Sequence, residues 1–223
     1  MSTQTPGHPD RTHPADRGFT ALELAPERGV RLSYEEFERD LLRRRRETPG
    51  RESWRFERRQ QARERDHPGW AEFERGRWDE SLRLLERHRP GLRAQVRGEQ
   101  DLGAAARRVR VVEEPLTPYL QWELHLLRIQ AECGRPVRIV PGAALGALET
   151  SAPLPEVIVV GGRALYEIVH TQAGLIDGAV LFTDPGLAGR WQRFIGELFA
   201  NGEDVRSYTD RYVFRLPPPR PSA

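Results

Sequence analysis

Two β-rich runs, EVIVV at 156–160 and RALYEIVH at 163–170, flank Gly161-Gly162 and constrain this chain more than any other feature. Glycine accepts the positive φ of a tight turn, so the pattern predicts an antiparallel hairpin with a two-residue connection. A further strand, GAVLFT at 178–183, follows a short polar gap. Asp184-Pro185 then begins a long helix carrying Leu187, Trp191, Phe194, Ile195 and Leu198, stopped at Asn201-Gly202.

Upstream, RRVRVVEE (107–114) and RPVRIVPG (135–142) read as strands. Between them, Thr117-Pro118 supplies an N-cap and an N1 proline for a helix through Tyr119, Leu120, Leu124, Leu127 and Ile129, ended by Gly134. Ser33-Tyr34-Glu35-Glu36 is a capping box that opens a helix with Tyr34, Phe37, Leu41 and Leu42 on one face, stopped at Pro49-Gly50. SWRFER (53–58) alternates as a half-buried strand does, with a helix through RRQQARER (58–65) as its rival. Trp70, Phe73 and Trp78 form an aromatic cluster. Asp79 is expected to cap a helix bearing Leu82, Leu84 and Leu85, broken at Pro90-Gly91 before a second helical stretch through Leu92, Val96 and Leu102.

The pattern predicts an α/β (α+β) fold, a mixed and largely antiparallel sheet flanked by helices, over residues 53–216. An arginine-rich helical extension at 31–52 precedes it. Residues 1–30 and 217–223 are expected to lack fixed structure, because they bury too little apolar surface to offset chain entropy.

Composition removes several chemistries. All 35 basic residues counted as Lys+Arg are arginine. No lysine is present to form a Schiff base, complete a P-loop or clamp a phosphate. Net charge is only +2 because acids are interspersed, so the pI near 9.0 is not that of a polycation built for nucleic acid. The single cysteine, Cys133, excludes an intramolecular disulfide and any cysteine-based zinc site. The N-terminus shows no apolar signal region, and no run approaches the roughly 18 apolar residues of a membrane helix. A soluble, cytoplasmic protein without cofactor or metal is expected.

HTQAGLID at 170–177 has the spacing of the His-x-Lys-x4-Asp motif of phospholipase-D-type phosphodiesterases, with His170, Gln172 and Asp177 at its positions. Gln172 carries no charge where phosphoryl transfer needs one, and no second copy occurs. The alternative is a loop: His170 ends a strand, 172–174 turn, and Leu175 and Ile176 re-enter the core. Arg43, Arg44, Arg45 and Arg46 open an arginine-rich stretch to Arg65 that invites a nucleic-acid reading, but Glu47, Glu52, Glu57, Glu64 and Asp66 interrupt it. Core packing is the expected role of most tryptophans, with a ligand pocket built from Arg108, Arg110, Trp122 and Glu123 as the alternative. Glu113 and Glu114 face opposite ways on a strand and are a poor acid/base pair. Cys133 is expected to be a small buried hydrophobe.

RRVRVVEEPLTPYLQWEL, RPVRIVPG, EVIVVGGRALYEIVH and LFTDPGLAGRWQRFIGELF resemble an uncharacterised actinobacterial domain family, and SWRFE and GWAEFERGRW resemble its N-terminal portion, over roughly residues 53 to 205. The all-arginine, Ala/Gly/Pro-rich composition fits such an origin. The resemblance implies a C-terminal half similar to degenerate phospholipase-D-like sensor domains and a place beside helix-turn-helix regulators and their small partner proteins. It implies no activity. The chain departs from it in the 33–52 helix and in the glycines at the hairpin tip. The expected function is a non-enzymatic regulatory domain that binds a protein partner, a helix-turn-helix regulator or small antitoxin-like protein, or senses a small ligand. The alternatives are a diverged phosphodiesterase using His170 and a nucleic-acid binder using 43–65.

Overall fold

A computed structural model describes residues 22–48, 50 and 52–220. One eight-stranded sheet organises them. In chain order its strands are β1 (Val30–Ser33), β2 (Glu52–Glu57), β3 (Ala105–Val112), β4 (Val137–Pro141), β5 (Val157–Val160), β6 (Ala164–His170), β7 (Ile176–Phe182) and β8 (Glu203–Asp204). Seven helices accompany them: α1 (Tyr34–Glu47), α2 (Pro68–Glu74), α3 (Trp78–Arg87), α4 (Arg89–Asp101), α5 (Pro118–Glu132), α6 (Pro185–Asn201) and α7 (Val205–Arg211). The strand order is β1-β7-β6-β5-β2-β3-β4-β8. Only β2–β3 and β3–β4 are parallel, and the other five pairings are antiparallel. The sheet is therefore mixed, mostly antiparallel and open, as the strand pattern predicts.

The caps act as their residue types require. Ser33 Oγ accepts from Glu36 N–H at 3.3 Å while Ser33 N–H donates to Glu36 Oε2 at 2.8 Å, a complete capping box. Thr117 Oγ1 accepts from Leu120 N–H at 3.1 Å, and Asp184 Oδ1 from Gly186 N–H at 2.7 Å. α3, by contrast, starts at Trp78 with no side-chain cap, and Asp79 sits in its first turn rather than at the cap.

Period-two alternation distributes the core. On one face Trp54, Phe56, Val109, Val111, Val157 and Val159 meet Trp191, Ile195 and Phe199 of α6. The opposite face has two separate apolar patches. Phe37 and Leu41 of α1 cover Ile158, Tyr166 and Leu181 on the antiparallel side. Leu120, Leu124 and Leu127 of α5 cover Val112, Val137 and Ile139 on the parallel side. Each of these buried side chains contributes about 1.5–3 kcal/mol. Helices α2 and α3 pack Trp70, Phe73 and Leu85 on the outer face of α5, against Trp122.

Several expectations need correction. The β5–β6 connection has three residues: Val160 pairs with Ala164, and Arg163 N–H donates to Val160 O at 3.1 Å around Gly161 and Gly162 at φ 58° and 65°. SWRFER does form a strand, β2, and its rival, a helix through RRQQARER, is absent. Residues 22–30 are not a structureless tail: Leu22 and Leu24 pack on the core, and Trp191 Nε1 donates to Leu22 O at 3.1 Å. Nor is 31–52 a separate extension, since β1 is a strand of the sheet and α1 closes one of its faces. Gly178, at φ 138°, admits β1 to β7, because a side chain there would strike the Leu32 carbonyl. At the other end, Gln121 Nε2 donates to Pro217 O at 2.8 Å. The expectations for residues 1–21, Pro49 and 221–223 lie outside the described residues. No helix among those described is long and apolar enough to cross a membrane.

Candidate functional site

The two apolar patches leave a gap over β2 and β3, and the gap is filled with charge. Trp54, Phe56, Val109 and Val111 point to the α6 side, so alternation sends Arg55 and Glu57, with Arg108 and Arg110, to the other. In the parallel register Arg55 lies beside Arg108 and Glu57 beside Arg110. Glu57, 4% exposed, is ion-paired with both guanidinium groups, Oε1 2.7 Å from Arg55 Nε and Oε2 3.5 Å from Arg108 Nη1, although neither Arg55 Nε nor Glu57 Oε2 makes a hydrogen bond. Burial would raise its carboxyl, but Arg108, Arg55 and Arg110 outweigh burial and keep it below the usual range.

Arg110 is satisfied without a ligand. Its Nε donates to Glu123 Oε2 at 2.8 Å with both side chains buried, and its other nitrogens donate to the carbonyls of Arg59 and Val111. Burial pushes the Glu123 carboxyl up, and Arg110 pulls it only part of the way back because Glu57 and Glu64 repel it.

Towards the amino-terminal ends of β2 and β3 the layer opens into a cavity of about 150 Å³. Its floor includes Ser53, Arg55 and Arg108, and its walls include Arg45, Gln95, Gln130 and Arg135. Arg135 is held by Glu99 of α4 at 2.5 Å. Arg45, from the last turns of α1, has no such partner: its Nε is buried and makes no hydrogen bond. Burial is the main influence lowering its pKa; Glu99 opposes the shift, while Arg135, Arg55 and Arg108 add to it. Arg108 is lowered for the same first reason, with Arg55 and Arg135 repelling it and Glu57 opposing. Five arginines line the cavity; Arg107 pairs with Glu52, and the guanidinium groups of the other four share two carboxylates, Glu57 and Glu99. Guanidinium groups only donate, so what the cavity lacks is an acceptor with negative charge. The side chains of Arg55 and Arg108 retain 31% and 19% exposure, so solutes reach it.

The predicted ligand residues therefore separate. Arg108 lines the cavity; Arg110 and Glu123 are bonded to each other; Trp122 is fully buried and donates Nε1 to Ser81 Oγ at 2.9 Å. The run Arg43–Arg46 is likewise divided, because successive helical residues turn by about 100°. Arg43 pairs with Asp40 and Glu47, Arg44 pairs with Asp40 at 2.7 Å, Arg45 faces the cavity, and Arg46 is exposed. Arg45, Arg55 and Arg135 escape a search for motifs because each comes from a different element. The available signal is the Arg/apolar alternation of SWRFER and RRVRVV, which places charge on a sheet face that flanking helices must cover.

His170 and Asp177 have different environments. His170 ends β6 with Nε2 3.4 Å from Glu156 Oε2, whereas the exposed Asp177 pairs with Arg31 of β1 at 2.5 Å. Between them Gly174 N–H donates to Thr171 O at 3.0 Å, the expected turn. Glu113 and Glu114 diverge, one to Arg58 and the other accepting from Tyr208 Oη. Cys133 is buried. Among the described residues no group of three or more His, Cys, Asp or Glu side chains is placed to hold a metal. A wider crevice, about 860 Å³, lies at the carboxyl ends of β3 and β4, but its polar wall includes Glu113, Glu114 and Glu203, which gives it no cationic excess.

A family model described as a domain of unknown function (DUF6879) matches residues 40–210, from the middle of α1 through most of α7. No curated protein and no solved structure matches the chain.

Proposed function

This chain belongs to the DUF6879 family of domains of unknown function, and from that premise we propose that it is a non-enzymatic regulatory domain that senses a small anion in the arginine-lined cavity. One observation carries the reading: Arg45 Nε is buried without an acceptor in a cavity where Arg55, Arg108 and Arg135 already outnumber their carboxylates. An unpaired buried charge destabilises a fold, so a site of this kind is completed by a ligand of opposite charge. Binding would tie α1 and the end of α5, which pack in separate apolar patches, to each other through the paired strands β2 and β3. The surface of α1 is then the part of the molecule through which occupancy is reported to a protein partner. A helix-turn-helix regulator or small antitoxin-like partner, a cytoplasmic setting and an actinobacterial origin belong to the same proposal. So does a degenerate phospholipase-D-like character for the C-terminal half, supported by its strand–turn–strand–helix run from β6 to α6.

The test is thermal melting at fixed ionic strength in a panel of small anions. The expected outcome is a rise in Tm with at least one oxyanion beyond that given by chloride, absent in Arg45→Met with its circular dichroism unchanged. A wild-type protein that responds to no oxyanion at millimolar concentration refutes the reading.

A further inference from the structure

The ligand's charge and size are written into the same cavity, and this inference rests on the anion-sensing reading above. We propose that the cavity takes a dianionic tetrahedral oxyanion of the phosphate type, as free phosphate or as the terminal phosphoryl group of a larger molecule. Charge is the first ground. With Arg107 neutralised by Glu52, the other four guanidinium groups face two carboxylates, which leaves two positive charges to be met. A carboxylate would meet one of them. A dianion would meet both, with oxygens enough for several charge-assisted hydrogen bonds at once.

Size is the second ground. At about 150 Å³ the cavity falls below the roughly 300–1,000 Å³ of sites that enclose drug-sized ligands. It holds a head group and leaves any larger remainder outside. Donor geometry is the third. Arg45 approaches from α1 and Arg135 from the connection between α5 and β4, while Arg55 and Arg108 rise from the sheet, so donors surround the site from two layers instead of lying in the plane of a carboxylate. Gln95, Gln130 and the Ser53 hydroxyl supply neutral donors between them. The absence of lysine does not weaken the site, because arginine matches phosphate oxygens in pairs.

Isothermal titration calorimetry of the full chain with sulfate, inorganic phosphate, phenyl phosphate and acetate tests this. The dianions are expected to bind at least about tenfold more tightly than acetate, with Arg45→Met and Arg108→Gln each losing most of that preference. Phenyl phosphate has a second pKa of about 6, so its affinity should fall about tenfold between about pH 7 and about pH 5 while that of sulfate, a dianion throughout, stays level. Sulfate also controls for titration of the cavity's own carboxylates, Glu57 of β2 and Glu99 of α4. Phenyl phosphate binding as tightly as phosphate identifies the terminal group of a larger molecule; much weaker binding identifies the free ion. Acetate equal to the dianions, or phenyl phosphate and sulfate responding alike to pH, overturns the dianion assignment and leaves the anion-sensing reading standing. No binding by any of the four overturns both.

Discussion

Replacing Arg45 by methionine should make the protein more stable. Arg45 sits in the last turns of α1 with its Nε buried and no acceptor in reach, and Arg55, Arg108 and Arg135 repel its charge. A buried donor left unpaired costs about 1–3 kcal/mol. Methionine keeps the apolar stem that packs against the sheet, and arginine and methionine have nearly equal helix propensity, so nothing comparable is lost. The expected gain is about 1–2 kcal/mol, or a Tm higher by about 2–4 °C per kcal/mol for a chain of this size. The neighbouring Arg44→Met is the control. Arg44 pairs with Asp40 at 2.7 Å while both side chains are partly exposed, so its loss should cost about 0.3–0.5 kcal/mol. Urea denaturation in buffer free of polyvalent anions measures both. Opposite signs from two adjacent arginines are the signature. A loss of more than about 1 kcal/mol in Arg45→Met would mean that its charge is satisfied in the free protein, and the reasoning fails.

Two further outcomes concern groups that the cavity does not use. Glu123→Ala should destabilise by about 3–5 kcal/mol, because it leaves the buried Arg110 unpaired, and the double replacement Arg110→Met/Glu123→Leu should cost much less than that single change; additive losses in urea denaturation would contradict a closed structural pair. His170 should make folding sensitive to mild acid. Burial, then Arg59 and Arg55, hold its pKa at about 4 against an ordinary 6.5, with Glu57 opposing them. Between those values the unfolded chain takes up a proton that the folded chain refuses, so stability falls as pH drops from about 6.5 to about 4. His170→Gln should flatten that slope, and an unchanged slope would place the ring in solvent.

Much of the fold was legible because its signals are local. The capping box at Ser33, the Thr117-Pro118 start and the strand alternation each act within a few residues, and all three are present in the structure. What escaped depends on distant partners. Val30–Ser33 is too short and polar to announce a strand, and pairs with β7 only because Gly178 lets it approach. Leu22 and Leu24 look insufficient to order a tail, yet α6 offers them an apolar surface and the Trp191 donor. At the site, Arg108 was legible from RRVRVV. Arg55 carries the same signal in SWRFER, whereas Arg45, inside a run of four, and Arg135, after a helix end, carry none.

The position of the cavity follows from strand direction. β2 pairs antiparallel with β5 and parallel with β3, so it is where the two halves of the sheet meet. An antiparallel half built of hairpins takes α1 on its face, and a parallel half built by crossover takes α5, and nothing requires the two helices to meet. Sites in open parallel sheets usually lie outside the carboxyl ends of the strands, whereas this cavity lies at the amino-terminal ends of β2 and β3, where only the gap between α1 and α5 leaves room for it. Here the gap could have been closed with leucine and valine, as both flanking patches are. Apolar side chains of similar volume would have been the more stable filling. Sequence alternation instead puts Arg55, Glu57, Arg108 and Arg110 there, and α1 adds Arg45. A fold that carries uncompensated charge at the seam between the two halves of its sheet gives up stability there, and under the proposed reading an anion would return it.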